Sequence, residues 1–371
     1  MNLYGSVHPR FQACREAMEL NLAEGLDLGF SLAVVRNGEF VVDLWGGYAD
    51  AARGRRWQED TLVNIWSMTK GILALAVGMT VERGILNYAD PVARVWPEFA
   101  ANGKDRISLD LIMSHQAGLH APGAPMKLQE VYDWHPCVEA FARMAPLWPP
   151  ASRCVYHAFS YGSLAGETLR RADGRMPGQF IADEIARGLG LDLYVGLDRA
   201  EDSRAAELVA AEGVDDWIDE MRKSGYHSDM LTPPISALTP NERAWRRADI
   251  PAANGHATAR SLARLYGILA QGGGDLISAP GLRRATSVRF EGPDVGLNRN
   301  SRFAAGFALG GDESMLGPNP ASFGHTGWGG SFSFADPDAG LGVAYVMNRM
   351  LDSVGSEARY KRLIDAIYGA L

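Results

Sequence analysis

Lysine is the scarcest charge in this chain: only Lys70, Lys104, Lys127, Lys223 and Lys361 stand among 36 basic residues in a sequence of 371. Acidic residues outnumber basic ones, 44 to 36, for a net charge of −8, so the broad basic footprint that nucleic acid requires is missing. Cysteine is rarer still. Cys14, Cys137 and Cys154 are widely spaced and odd in number, which gives neither a disulfide framework nor a C-x-x-C metal pattern, and they read as reduced core thiols. No run approaches the roughly 18 consecutive apolar residues of a membrane span. The opening MNLYGSVHPRFQACREAMELN lacks the apolar stretch of about seven or more residues found in a secretory signal. The expectation is a cytoplasmic chain with a small-molecule partner and neither nucleic acid nor membrane; oligomeric state is unreadable.

The remaining composition is that of an ordinary globular protein: 47% hydrophobic, 22% charged, 42 Gly and 19 Pro. An amphipathic helix is expected from about Phe11 to Glu24. Two β-rich runs follow, Ser31 to Val35 and Glu39 to Trp45, and Asn37-Gly38 between them is the strongest short hairpin signal. The stretch Ser67 to Glu82 is apolar nearly all round and reads as a buried helix that Arg83-Gly84 closes. From Tyr88 to Asp249 the texture changes to short helical patches (Ser108 to Met113, Val138 to Met144, Gly162 to Arg171, Gly178 to Arg187, Ala205 to Glu212) joined by Pro-rich segments. After a helix at SLARLYGILA the chain returns to β-rich sequence, and it ends in a helix from Ser356 to Leu371. Strands at both ends and helices between them predict a discontinuous α/β domain, 1–87 with 250–371, interrupted by a helical domain, 88–249. The cleft between the two is the natural ligand site.

Three patterns carry chemistry. In Ser67-Met68-Thr69-Lys70, at a helix start, a spacing of three puts hydroxyl and ammonium on one face about a turn apart. A serine hydroxyl needs a neighbouring base, and a lysine serves as one only when burial or another cation lowers its pKa. With 22 Ser and five Lys a chance S-x-x-K is expected about 0.3 times per chain, so the pattern alone also fits a capping serine and a solvated lysine. The apolar helix beyond it makes an unpaired Lys70 costly and tips the balance. In His157-Ala158-Phe159-Ser160-Tyr161-Gly162-Ser163, Tyr161 precedes a helical patch, from which its phenol would project out of a loop into the cleft as a general base. In Gly324-His325-Thr326-Gly327-Trp328-Gly329-Gly330, small residues mark a close approach of backbone to ligand and an edge whose N–H groups can face an oxyanion. No G-x-S-x-G, H-E-x-x-H, Walker A or dinucleotide fingerprint is present, and no metal or organic cofactor is expected.

In this order the three patterns resemble the S-x-x-K, Y-x-N or Y-x-S, and K-T-G or H-T-G motifs of the serine β-lactamase and penicillin-binding protein superfamily. The class C-like branch, and within it the family VIII carboxylesterases, is the most similar. Ile112-Met113-Ser114-His115-Gln116-Ala117-Gly118-Leu119 resembles the family's L-L-x-H-x-S-G-L, and Gly255 to Arg264 resembles its G-x-x-x-T-A-x-D-L-A-R, so the likeness spans about Phe30 to Asn348. It implies an α+β fold, an antiparallel sheet flanked by helices with an inserted helical domain. It further implies an acyl-enzyme on Ser67, with Lys70 and Tyr161 sharing its proton and the backbone N–H groups of Ser67 and Trp328 forming the oxyanion hole. Trp66, Ser163, His325, Thr326, Gly327 and Trp328 would line the substrate site. The chain departs from class C before the serine, at Val63-Asn64-Ile65-Trp66, and in having Ser163 and His325 where Asn and Lys stand. A histidine mostly neutral at pH 7 is a poor holder of a β-lactam carboxylate, which favours neutral esters of short to medium acyl chain. A β-lactamase, a D-alanyl peptidase or an acyltransferase would use the same groups. His115 is expected to be a structural hydrogen-bonding residue.

Overall fold

A computed structural model describes residues 3–214, 232–312 and 314–371. The predicted hairpin forms: Gly29–Arg36 and Glu39–Gly47 pair antiparallel across Asn37 and Gly38, whose φ angles of 51° and 90° are those of a type I′ turn. Among the described residues the main sheet has nine strands: β1 (Leu3–Val7), β2 (Gly29–Arg36), β3 (Glu39–Gly47), β4 (Phe290–Asp294), β5 (Arg299–Phe303), β6 (Ala308–Leu309), β7 (Phe323–Thr326), β8 (Phe332–Asp336) and β9 (Leu341–Met347). Their spatial order is β1-β3-β2-β9-β8-β7-β6-β5-β4 and every neighbouring pair is antiparallel. Sequence reasoning missed β1 and β4, short edge strands made mostly of exposed and half-buried residues.

The central strands are buried on both faces, and the period of two sorts their side chains. Leu32, Val34, Val343 and Tyr345 face one cluster, and Ala33, Val35, Ala344 and Val346 face the other. The first face packs against helices α1 (Gln12–Ala23) and α5 (Ser353–Tyr368), through Phe11, Cys14 and Met18 and through Leu363, Ile364 and Ile367. The second face carries α2 (Met68–Glu82) and α4 (Ala259–Ala270), with α3 (Ser160–Asp173) beyond α2. Glycines set how closely α4 approaches. A Cβ on Gly342 would lie 2.0 Å from the Gly267 nitrogen. All three cysteines are buried and unbonded to one another.

Helix α2 is buried from Met68 to Val81, as its all-round apolar sequence predicts, and it ends where Gly84 turns to φ +73°. Burial of each large apolar side chain is worth about 1.5–3 kcal/mol, so the helix is held by its surroundings. The segment before it enters a small antiparallel sheet, Val63–Asn64 with Gly255–Ala257 and Leu193–Val195, which brings residues 252–257 beside the start of α2. Of the expected helical patches, Ala205 to Glu212 is instead a short strand at Val209–Ala210 paired with Arg349–Met350. No helix among the described residues is long and apolar enough to cross a membrane.

Candidate active site

Ser67 stands at the N-cap of α2, on a turn that costs backbone energy. Trp66 before it has φ +47°, a left-handed conformation disfavoured by about 1–2 kcal/mol for a residue with a Cβ. The turn is tied down from several directions. Ile65 N–H donates to Gly255 O at 2.8 Å, Gly255 N–H to Thr69 Oγ1 at 2.9 Å, and Thr69 Oγ1 to Trp66 O at 2.6 Å. The amides of Met68, Thr69 and Lys70 are occupied by the carbonyls of Ile65, Trp66 and Ser67. Ser67 N–H takes part in none of these bonds.

Lys70 Nζ and Ser67 Oγ are hydrogen-bonded at 3.0 Å, as the i, i+3 spacing requires. Nζ also donates to Ala158 O at 2.8 Å and Ala252 O at 3.0 Å. The lysine is fully buried, and desolvation holds its pKa well below the usual value. The Tyr156 ring, with its centroid 4.8 Å from Nζ, pulls the other way. A cation–π contact of about 0.5–2 kcal/mol offsets at most about one and a half pKa units, so burial wins. In the neutral amine two N–H bonds go to the two carbonyls and the lone pair meets the serine hydroxyl.

The structure does not bring Tyr161 to the serine. Tyr161 lies in the first turn of α3, not on a loop, and its fully buried hydroxyl points beneath α2, donating to the Lys70 carbonyl at 3.4 Å and lying where a Cβ on Gly306 would be 2.1 Å away. Burial raises its pKa well above the ordinary phenol value. Tyr156, five residues earlier, stands at the site instead: its ring centroid is 4.8 Å from Lys70 Nζ, and Ser67 is near enough to its phenol to act on the phenol pKa. Desolvation raises its pKa too, partly countered by the neighbouring Ser67. The signal that would have found it is Tyr156-His157-Ala158, a Y-x-small triplet within the same stretch. Ser163 is likewise turned away, its Oγ 3.2 Å from Cys137 Sγ in the middle of the chain.

The third pattern does arrive. Strand β7 ends at Thr326, and Thr326, Gly327 and Trp328 are half-buried at its edge. A Cβ on Gly327 would be 2.7 Å from the Ile65 carbonyl, so glycine permits this strand to lie against the turn that carries Ser67. The Trp328 and Trp66 rings pack with centroids 4.8 Å apart, and Trp245, which sequence reasoning did not single out, lies 5.5 Å from Trp66. Trp66 itself is buried, so the accessible aromatic wall is Trp328. His325 is buried with its ring 6.1 Å from Tyr156, and desolvation followed by Lys70 pushes its pKa down to about 3, leaving it neutral. Among the described residues no group of three or more His, Cys, Asp or Glu is placed to hold a metal.

Comparisons with known proteins agree with this geometry. Residues 18–366 match the Beta-lactamase family. The chain is 34% identical over 363 residues to the Esterase/beta-lactamase LipL of Mycobacterium tuberculosis (strain ATCC 25618 / H37Rv), covering 94% of this chain and 83% of that protein. A crystal structure of a family VIII carboxylesterase superposes with TM-score 0.93 at 39% identity, covering 100% of both chains. A penicillin-binding protein homologue from Caulobacter crescentus superposes with TM-score 0.90, also at 39% identity and 100% coverage of both. With its S-x-x-K serine on a buried helix against an antiparallel sheet, and with matches that run from end to end, the chain belongs to the beta-lactamase family.

Proposed function

We propose that this protein is a serine hydrolase that cleaves carboxylic esters of short to medium acyl chain through an acyl-enzyme on Ser67. The observation that carries the reading is the buried Lys70 amine, bonded to two carbonyls and to Ser67 Oγ. Its lone pair takes the serine proton as Oγ attacks the ester carbonyl. The carbonyl π electrons move to oxygen, where the N–H groups of Ser67 and Trp328 receive the negative charge. Collapse breaks the bond to the alcohol. Tyr156, beside Ser67 and with its ring over Lys70 Nζ, gives its proton to the leaving oxygen and regains one from Lys70. Water then repeats the sequence in reverse and frees the acid. Tyr156 takes the part that the sequence assigns to Tyr161.

The residues come from three parts of the chain: Ser67 and Lys70 from the first, Tyr156 and Ala158 from the middle, and Ala252, His325 and Trp328 from the last. This supports a site in the cleft between a 1–87/250–371 unit and an 88–249 insert. The neutral His325 favours uncharged esters over substrates held by a carboxylate. A β-lactamase activity is the second reading, favoured by the double name of the LipL relative. Intact-mass spectrometry after exposure to a fluorophosphonate tests the main reading. One covalent adduct on the wild type and none on Ser67→Ala is expected; no adduct on the wild type, or an equal one on the variant, overturns it. Nitrocefin hydrolysis as fast as that of p-nitrophenyl butyrate would favour the second reading.

A further inference from the structure

The chain from Cys154 to His157 carries Tyr156 but belongs to no sheet ladder; its one strand-like contact is an isolated bridge between Cys154 and Asp294. Buried amides outside a ladder need other acceptors, and here two distant buried residues supply them, His115 through its carbonyl and its ring and Asp294 through its carboxylate. Val155 N–H donates to His115 O at 3.0 Å, and His157 N–H donates to His115 Nδ1 at 3.1 Å. Tyr156 N–H, between them, donates to Asp294 Oδ1 at 3.2 Å. Three consecutive amides are thereby held by two residues.

Both jaws are themselves fixed. His115 is 1% exposed and adopts φ +62°, and its ring packs on Tyr156 with centroids 4.8 Å apart and edge-on against Phe303 at 4.6 Å. Because Nδ1 accepts a backbone N–H, the ring carries its proton on Nε2. Burial, with His157 and Lys70 next in weight, keeps that ring neutral, so the acceptor is preserved. Asp294 is 1% exposed at the end of β4, and its Oδ1 also accepts from Gly296 N–H at 2.8 Å and Leu297 N–H at 3.1 Å. The Cys154 carbonyl accepts from Val295 N–H at 3.0 Å and locks the same corner.

We propose that His115 and Asp294 are positioning residues that hold the Tyr156 hydroxyl against Ser67. This rests on the reading of Tyr156 as the group that moves the proton. A tyrosine on an irregular segment would otherwise wander, and a misplacement of about 1 Å costs on the order of 100-fold in rate.

The experiment compares His115→Asn with His115→Gly, each in the wild-type and in the Tyr156→Phe background, with p-nitrophenyl butyrate as substrate. Asn tolerates the left-handed backbone and sets an oxygen near the place of Nδ1; Gly tolerates the backbone and offers His157 N–H no side-chain acceptor, while both keep the carbonyl that holds Val155. Rates are normalised to the serines that fluorophosphonate labels, which counts competent molecules. Expected is a fall in kcat on the order of 100-fold for His115→Gly with KM within about twofold, most of it restored in His115→Asn, and no further loss when His115→Gly is added to Tyr156→Phe. Wild-type kcat per labelled serine in His115→Gly, or a loss that adds in full to that of Tyr156→Phe, overturns the proposal. Should His115→Gly not fold, Asp294→Ala carries the same expectation from the other jaw. Full activity in Tyr156→Phe alone would refute the proton-transfer reading and is a separate result.

Discussion

Lys70 Nζ lies 3.0 Å from Ser67 Oγ, and its other two hydrogen bonds end on carbonyl oxygens, those of Ala158 and Ala252. Among the described residues no carboxylate pairs with it. Desolvation of the buried ammonium depresses the Lys70 pKa, and a lysine that gives up its proton more readily can serve as a base.

Replacing Lys70 therefore separates charge from basicity. Lys70→Arg keeps a cation that cannot release its proton, and Lys70→Met keeps the volume. Both are expected to lose about 10²–10⁴-fold in kcat, while the melting temperature of Lys70→Met stays at or above that of the wild type. In the wild type kcat/KM rises with pH as Lys70 loses its proton and then levels off, because its pKa is depressed. Residual activity in Lys70→Arg should lack that acid limb.

The two tyrosines give opposite outcomes. Tyr156→Phe removes the phenol hydroxyl beside Ser67, and kcat should fall at least about 100-fold. Tyr161→Phe removes a hydroxyl whose bond to Lys70 O is 3.4 Å long. Its expected cost is about 1 kcal/mol of stability or less, with kcat within a few fold, read by steady-state kinetics and thermal melting.

His325 makes stability depend on pH. Its folded pKa of about 3 lies below the unfolded value of about 6.5, so the native state holds it neutral while the unfolded chain takes up a proton. The unfolded state binds more protons between those values, and stability falls as pH falls. Each unit costs about 1.4 kcal/mol from this group. Urea unfolding of His325→Asn should show a slope shallower by about that amount between about pH 4 and 6.

Gly327 is a steric necessity. A Cβ there meets Ser331 Oγ at 2.3 Å and the Ile65 carbonyl at 2.7 Å. The hydroxyl can rotate, but the carbonyl belongs to the turn that sets Ser67. Gly327→Ala is expected to cost about 1–3 kcal/mol in chemical unfolding and to lower kcat more than it raises KM.

The features legible in the residues are those governed by neighbours along the chain. Asn37-Gly38 specified its hairpin because a type I′ turn needs positive φ at two successive residues. Met68 to Val81 specified a buried helix because no face of it is polar, and its pitch put Lys70 over Ser67. The edge strands β1 and β4 left little trace, since most of their residues are exposed or half-buried and so carry no apolar alternation.

The sequence by itself determined the family and the pairing of Ser67 with Lys70, since each is written in local spacing and side-chain type. Only the tertiary structure decided which tyrosine lies beside them. Tyr156 and Tyr161 are five residues apart and alike in chemistry, but the chain enters α3 between them, so one hydroxyl lies beside Ser67 while the other is buried beneath α2. The same holds for Lys70's environment. Its partners are backbone carbonyls from residues 88 and 182 positions away, and a carbonyl oxygen is common to every residue, so the sequence has no letter for it.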